Sequence, residues 1–167
     1  PEVMARIVTY PVINGSFTGA LFGIVMLLAL GKMVAEVFRW WAVLAVFFAG
    51  AIVAALVFAA LPTQGLPLFG TFPPVYALIG AFTHLLWLRH RAGGGNGVGA
   101  FRMIGFLLAI QPVFALFQWV LQPMQGLQWF WVWMWLAELS SFATGFVLAF
   151  VLLPGGLGRL ASLIRSR

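Results

Sequence analysis

Cysteine is absent from the 167 residues, which excludes disulfides, thiol nucleophiles and cysteine-held metals. Charge is scarce as well: only 7% of the residues are Asp, Glu, Lys or Arg. A soluble domain of this length could not bury the apolar surface that remains. With 63% hydrophobic residues and a mean hydropathy of +1.08, the expected solvent is lipid. The net charge of +6 comes from nine scattered Lys and Arg. In a lipid setting that charge reports topology, and no nucleic-acid partner is expected. A signal peptide is not legible, because the first apolar run lacks a basic flank and a small-residue cleavage site. The chain begins with Pro1, so it reads as part of a longer product or one lacking its N-terminus.

Five apolar stretches are present, roughly 17–36, 40–61, 72–88, 101–121 and 129–153. About 20 apolar residues cross a bilayer core, so each is read as a membrane span. The third is short, ~26 Å of helix, and carries Gly80 and Ala81, which suits burial among other helices. The fourth contains Pro112, which removes a backbone donor and predicts a kink. Lys32 and Arg39 separate spans one and two. Arg89, Arg91 and Arg102 flank the turn between spans three and four, and Arg159, Arg165 and Arg167 follow span five. The connections 62–71 and 122–128 carry no charge, and Arg6 alone is basic on that side. Basic loops face the cytoplasm, so the C-terminus and its short basic tail, 157–167, are expected there.

Three local patterns have an ordinary explanation. "RAGGGNGVG" at 91–99 is rich in glycine, but no GK[ST] follows and no strand precedes it. It is read as a flexible turn. Trp40, Trp41, Trp87, Trp129, Trp131, Trp133 and Trp135 sit near span ends, as an interfacial aromatic belt requires. His84 and His90 have no carboxylates converging on them and are read as packing or interfacial residues, not metal ligands.

Three ordered segments carry a family resemblance. They are "RIVTYPVINGSFTGALFGIVMLLALGKMVAE" at 6–36, "GTFPPVYALIGAFTHLLW" at 70–87 and "AELSSFATGFVLAFVLLPGG" at 137–156. Together they resemble the second, fourth and sixth helices of the rhomboid intramembrane serine proteases. The resemblance covers nearly the whole chain. It implies one all-α, polytopic membrane bundle over 1–167, whose five spans correspond to family helices two to six. The family's first helix would lie upstream of Pro1. The resemblance also implies that spans three and five pair closely, and the residues agree. Ser141 and Gly145 form a small-xxx-small face, and Gly80 offers a matching close approach.

At the positions where active members hold their chemistry, this chain differs. The nucleophile position of GxSG is Phe72, and Pro73 replaces the glycine after it. Phe has no hydroxyl and Pro no N–H, so covalent catalysis at this position is excluded and a backbone donor is lost. The histidine position holds Glu138. The oxyanion positions on the second helix hold Gly19 and Gly23, with Asn14 near a further polar position. The outer-loop Trp-Arg pair is reduced to Ala5-Arg6. Thr71 is the nearest hydroxyl and would need its own base. Ser140 and Ser141 beside Glu138 raise a displaced Ser–Glu pair, which lacks an evident oxyanion donor and is weighed low. Phe72 is expected outside the helix start, packed against Gly19, Gly23 and the Glu138 region.

Glu138 is the one acidic residue well inside the spans, and an ionisable group there is costly. A structural role is favoured, for example a bond to Asn14, Ser16 or Thr18. A contact to another subunit ranks second, and proton or solute movement third. The expected function is that of a catalytically inactive rhomboid-like protein. It would bind transmembrane helices as an accessory, assembly or stabilising subunit in a bacterial inner membrane. An energy-transducing host, respiratory or photosynthetic, is compatible, though no residue selects it. A protease with rearranged residues and a small transporter or channel are the alternatives. No cofactor is expected. Bound lipid is, and a pigment contact is compatible with aromatic faces at Phe47, Phe48, Phe58, Phe114 and Phe117.

Overall fold

A computed structural model describes residues 9–12, 17–62, 68, 71–95, 97–102, 104–105, 109 and 127–152. A short 3-10 turn, Tyr10–Val12, precedes four helices: α1 (Phe17–Ala35), α2 (Trp40–Ala60), α3 (Phe72–Ala92) and α4 (Leu127–Leu152). Residues 100–102, 104, 105 and 109 are also helical and fall within the fourth apolar stretch. The rest of that stretch, including Pro112, Phe114 and Phe117, lies outside the described residues, as do Asn14, Arg6 and the tail 157–167. By length and composition, Trp40–Ala60 and Val132–Leu152 can each cross a membrane, and Gly23–Ala35 is a shorter apolar helix.

The element at the centre is α3. Residues Pro73 to Ala81 are buried without interruption, followed by Thr83, His84 and Leu85. Helix α4 packs along one side, α2 along another and α1 along a third. Matching contacts fix the directions. Thr71 lies on Gly23, Ala77 meets both Gly50 and Gly145, and Gly80 meets the backbone at Phe142 and Phe146. Ser141 is bonded to Gly50 and Ala137 is packed on Phe58, which sets α2 against α4. Helix α3 runs along α4, from Ala77 at Gly145 to His84 at Phe150. The short link 36–39 turns α2 back on α1. Helices α1, α3 and α4 therefore run in one direction and α2 runs against them. This up-and-down arrangement gathers Lys32, Arg39, Arg89 and Arg91 at one end, called here the basic end. Leu30, Val34, Val46, Val75, Leu78, Ile79 and Ala149 share one core cluster across all four helices.

Glycine governs the α3–α4 and α2–α3 approaches. A Cβ at Gly145 would fall inside the backbone of Ala77, including 2.8 Å from its Cα. A Cβ at Gly80 would fall against the carbonyl of Phe142 and 2.9 Å from the Phe146 nitrogen. Backbone contact of this kind supplies van der Waals energy where lipid offers no hydrophobic drive between helices. Three hydroxyls bond within their own helix. Thr83 Oγ1 donates to the Ile79 carbonyl (2.8 Å), Thr144 Oγ1 to Ser140 (2.8 Å) and Ser140 Oγ to Ala137 (2.7 Å). Ser141 reaches across instead, donating to the Gly50 carbonyl of α2 at 2.8 Å.

Two expectations need correction. Phe58 is not on an exposed face: it is buried against Ala54 and Ala137, with Leu68, Trp133 and Met134 around it. The 3.6-residue period puts Phe58 in line with Gly50, Ala51 and Ala54, the face of α2 that meets α4. Phe47 is half-buried against the core, and Phe48 alone of the three is exposed, with its ring edge-on to Phe47 at 5.4 Å. The third helix also continues to Ala92, four residues beyond the apolar stretch. Its last turn carries Arg89, His90 and Arg91, where cations favour the helix C-terminus.

The glycine-rich stretch after α3 is a turn, as its composition requires. The Gly93, Gly94 and Gly95 N–H groups donate to the Arg89, Arg91 and His90 carbonyls, closing the helix end. Gly97, at φ 56, lies beneath Trp87, whose ring also carries the Arg91 guanidinium at 5.0 Å. A side chain at Gly97 would meet both a left-handed backbone and that indole.

Candidate functional site

Prolines at N2 and N3 shape the start of α3. Phe72 is the first helical residue, Thr71 is the cap, and Pro73 and Pro74 follow. The helix thus begins one residue earlier than expected, with Phe72 inside its first turn. The reason is that Val75 N–H reaches the Thr71 carbonyl at 3.2 Å, closing the turn around residues that need no donors of their own. The side chain over Gly23 is Thr71, not Phe72. An ideal Cβ at Gly23 would lie 3.1 Å from Thr71 Cβ and 3.3 Å from its Oγ1. A small β-branched residue fits between α1 and α3 at this point, whereas a phenyl ring there would force the helices apart. Phe72 is half-buried beside it. Gly19 lies in α1, one turn before Gly23.

The Thr71 hydroxyl makes no cap bond to its own helix. It donates to the Pro11 carbonyl of the 3-10 turn at 2.7 Å. Tyr10 of that turn donates to the Ala51 carbonyl of α2 at 2.9 Å. Burial pushes the Tyr10 phenol well above its usual pKa, so the hydroxyl remains a donor.

Glu138 projects from α4 into the bundle and is 3% exposed. It shares its α4 face with Ala137, Ser141, Gly145 and Ala149. Tyr76, one turn into α3, lies close enough to Glu138 for the two to interact electrostatically. No motif singled out Tyr76. Its signal was only a phenol one turn after Phe72, on the helix paired with Glu138. Residues 14, 16 and 18, named above as possible partners of Glu138, lie outside what the structure describes of side chains. Among the described residues, no three His, Cys, Asp or Glu gather around a common point.

Residues 1–155 match the family model of the Rhomboid domain. The chain belongs to the rhomboid family. No curated protein and no solved structure matches it. Read as a rhomboid, the bundle is an integral membrane protein whose α3 and α4 are the pair that the family resemblance equates with nucleophile and base. The structure does bring those helices into backbone contact. At the compared positions this rhomboid offers a phenyl ring and a carboxyl. Ser141, three residues after Glu138 on the same buried face of α4, is committed to the Gly50 carbonyl.

Away from this end, His84 is 2% exposed, and neither ring nitrogen has a hydrogen-bond partner among the described residues. Phe146 stands edge-on at 4.8 Å, with Trp87 at 5.7 Å and Phe150 at 6.0 Å. An unsatisfied buried polar group costs about 1–3 kcal/mol. His84→Phe keeps the ring and removes the cost, so it is expected to raise thermal stability in detergent. A lowered melting temperature would show that the imidazole has a partner in the folded protein.

Proposed function

We propose that this rhomboid is a catalytically inactive member that binds transmembrane helices and serves as an accessory or stabilising subunit of a larger membrane complex. The observation that carries the reading is the start of α3. Phe72-Pro73-Pro74 brings neither a hydroxyl nor N–H groups at the two prolines, and the adjacent Thr71 hydroxyl is already bonded to Pro11. Acyl transfer needs both a nucleophile and donors for the oxyanion.

Support for helix binding comes from the outer face of α1. Phe17 is 84% exposed and Leu28 68%, with Leu21, Ile24 and Val25 between them. Such a face suits lipid or another apolar helix equally. By the positive-inside rule the basic end faces the cytoplasm, and a bacterial inner membrane is the setting we propose. Bound lipid suits this face, and a pigment contact at the exposed Phe48 of α2 is compatible with the reading. Glu138, Ser141, Gly145 and Gly80 then serve the internal packing that holds the binding surface in shape.

Purification in a mild detergent, followed by mass spectrometry, tests the proposal. A stoichiometric membrane partner is the expected result. A partner-free protein that cleaves a transmembrane substrate would replace this reading with that of a protease.

A further inference from the structure

We propose that the turn after α3 binds an anionic phospholipid, with Arg91 and Arg102 on its phosphodiester and Val98 and Phe101 beside its acyl chains. The proposal goes beyond the helix-binding reading and does not depend on it. It needs only the membrane setting that belongs to a rhomboid.

The balance of charge comes first. The acidic residues among the described ones are Glu36, just beyond α1, and Glu138, buried in the bundle. Arg91 and Arg102 are exposed, and neither has an ion pair among the described residues. Cations at a helix C-terminus often hydrogen-bond the last carbonyls. Here glycine has taken that role, because the Gly93, Gly94 and Gly95 N–H groups occupy the Arg89, Arg91 and His90 carbonyls. The Arg91 guanidinium is left for another anion.

The turn also fixes where that guanidinium sits. It lies over the Trp87 ring at 5.0 Å. An ideal Cβ at Gly97 would be 2.7 Å from the Trp87 Nε1 and 3.4 Å from the Arg91 Cγ, so the turn lies against both side chains. Its φ of 56 is a conformation that glycine adopts without strain. The Arg102 N–H donates to the Gly99 carbonyl at 3.3 Å, which ties Arg102 to the same turn. Between them, Val98 is 63% exposed, and Phe101 is partly exposed with its ring 5.6 Å from Phe146 of α4. Two unpaired guanidiniums thus flank exposed apolar side chains at the basic end of the bundle.

That combination selects the occupant. A guanidinium fork matches phosphate oxygens, and its charge persists at any physiological pH. A free anion would use the arginines and leave Val98 and Phe101 in water. A phospholipid uses both. A zwitterionic headgroup carries its own cation, so a net anionic one gains more. Arg89 provides the contrast, since two residues along a helix place it on roughly the opposite side of α3 from Arg91.

The test titrates the full chain in a mild detergent with dioleoylphosphatidylglycerol or dioleoylphosphatidylcholine, and native mass spectrometry counts the bound lipid. Wild type is expected to hold one phosphatidylglycerol in clear preference to phosphatidylcholine. Arg91→Gln and Arg102→Gln should each weaken that binding about fivefold, and the pair about 25-fold. Arg89→Gln removes the same charge and should change it less than about twofold, because an exposed charge away from the site is screened. Gly97→Ala keeps every charge but lifts the turn from the indole, and should weaken binding severalfold. Arg91→Lys keeps the charge without the planar fork, and should fall between wild type and Arg91→Gln. Inorganic phosphate is expected not to displace the lipid. Equal losses in Arg89→Gln and Arg91→Gln would overturn the site in favour of a diffuse charged surface. Equal affinity of wild type for the two lipids would overturn it too, as would displacement by inorganic phosphate, which would mark a free-anion site.

Discussion

Gly145→Ala is expected to destabilise the protein by about 3 kcal/mol, and Gly145→Val to leave no folded bundle. Adding methylenes to a packed core ordinarily costs about 1–3 kcal/mol, because side chains move off their rotamers. Here the obstacle cannot rotate away, since the atoms facing Gly145 are the carbonyl, C and Cα of Ala77. Any Cβ must push α3 from α4 along the most extensive contact in the bundle. The same shift would strain the Ser141 bond to Gly50 four residues earlier. Gly31 is the control: a Cβ there meets nothing within 4 Å. Gly31→Ala should therefore gain about 0.5–1 kcal/mol, the usual helix-interior difference. Thermal melts of the three variants in one detergent give the comparison. A Gly145→Ala melt equal to wild type would mean that α3 and α4 are further apart than described.

Phe72→Ser combined with Glu138→His is expected to yield no protease. The pair restores the residue types that active rhomboids use, on helices that are in contact. It does not restore the donors. Losing one oxyanion donor costs roughly 10²–10³-fold in turnover, and Pro73 and Pro74 bring none to this helix start. Gly19 and Gly23 offer no side-chain donors either. The expected readout is no fluorophosphonate labelling and no cleavage of a transmembrane substrate, in either the wild type or the double variant. Labelling of Phe72→Ser/Glu138→His that is absent from Phe72→Ser alone would show a latent oxyanion site, and would move the proposed function back toward catalysis.

Much of the framework was legible because lipid imposes simple rules on sequence. The four described helices start and stop within a few residues of the apolar stretches, and Gly80 and Gly145 were spaced for the contacts they make. Hydropathy failed where apolarity and membrane depth separate. Helix α3 continues through Arg89, His90 and Arg91 because those side chains favour a helix C-terminus, although no apolar residue marks the continuation. It failed again for the faces. Phe47, Phe48 and Phe58 are identical by composition, yet their angles around α2 make one half-buried, one exposed and one core. At the site, the Phe-Pro-Pro helix start was readable, but the neighbour of Gly23 was not. Which side chain tops a glycine depends on the rotation and height of α3 against α1, and a one-residue change in the helix start exchanges Phe72 for Thr71.

Ala77 is gripped from two sides, by Gly50 of α2 and Gly145 of α4. Five residues of α3 precede it and fifteen follow, about 7.5 Å and 22 Å of helix. A rigid rod held at that point is a lever with unequal arms. A small tilt imposed at Phe72 would swing the far tip about three times as far in the opposite direction. Events at the uncharged end would thus arrive enlarged at Arg89 and Arg91.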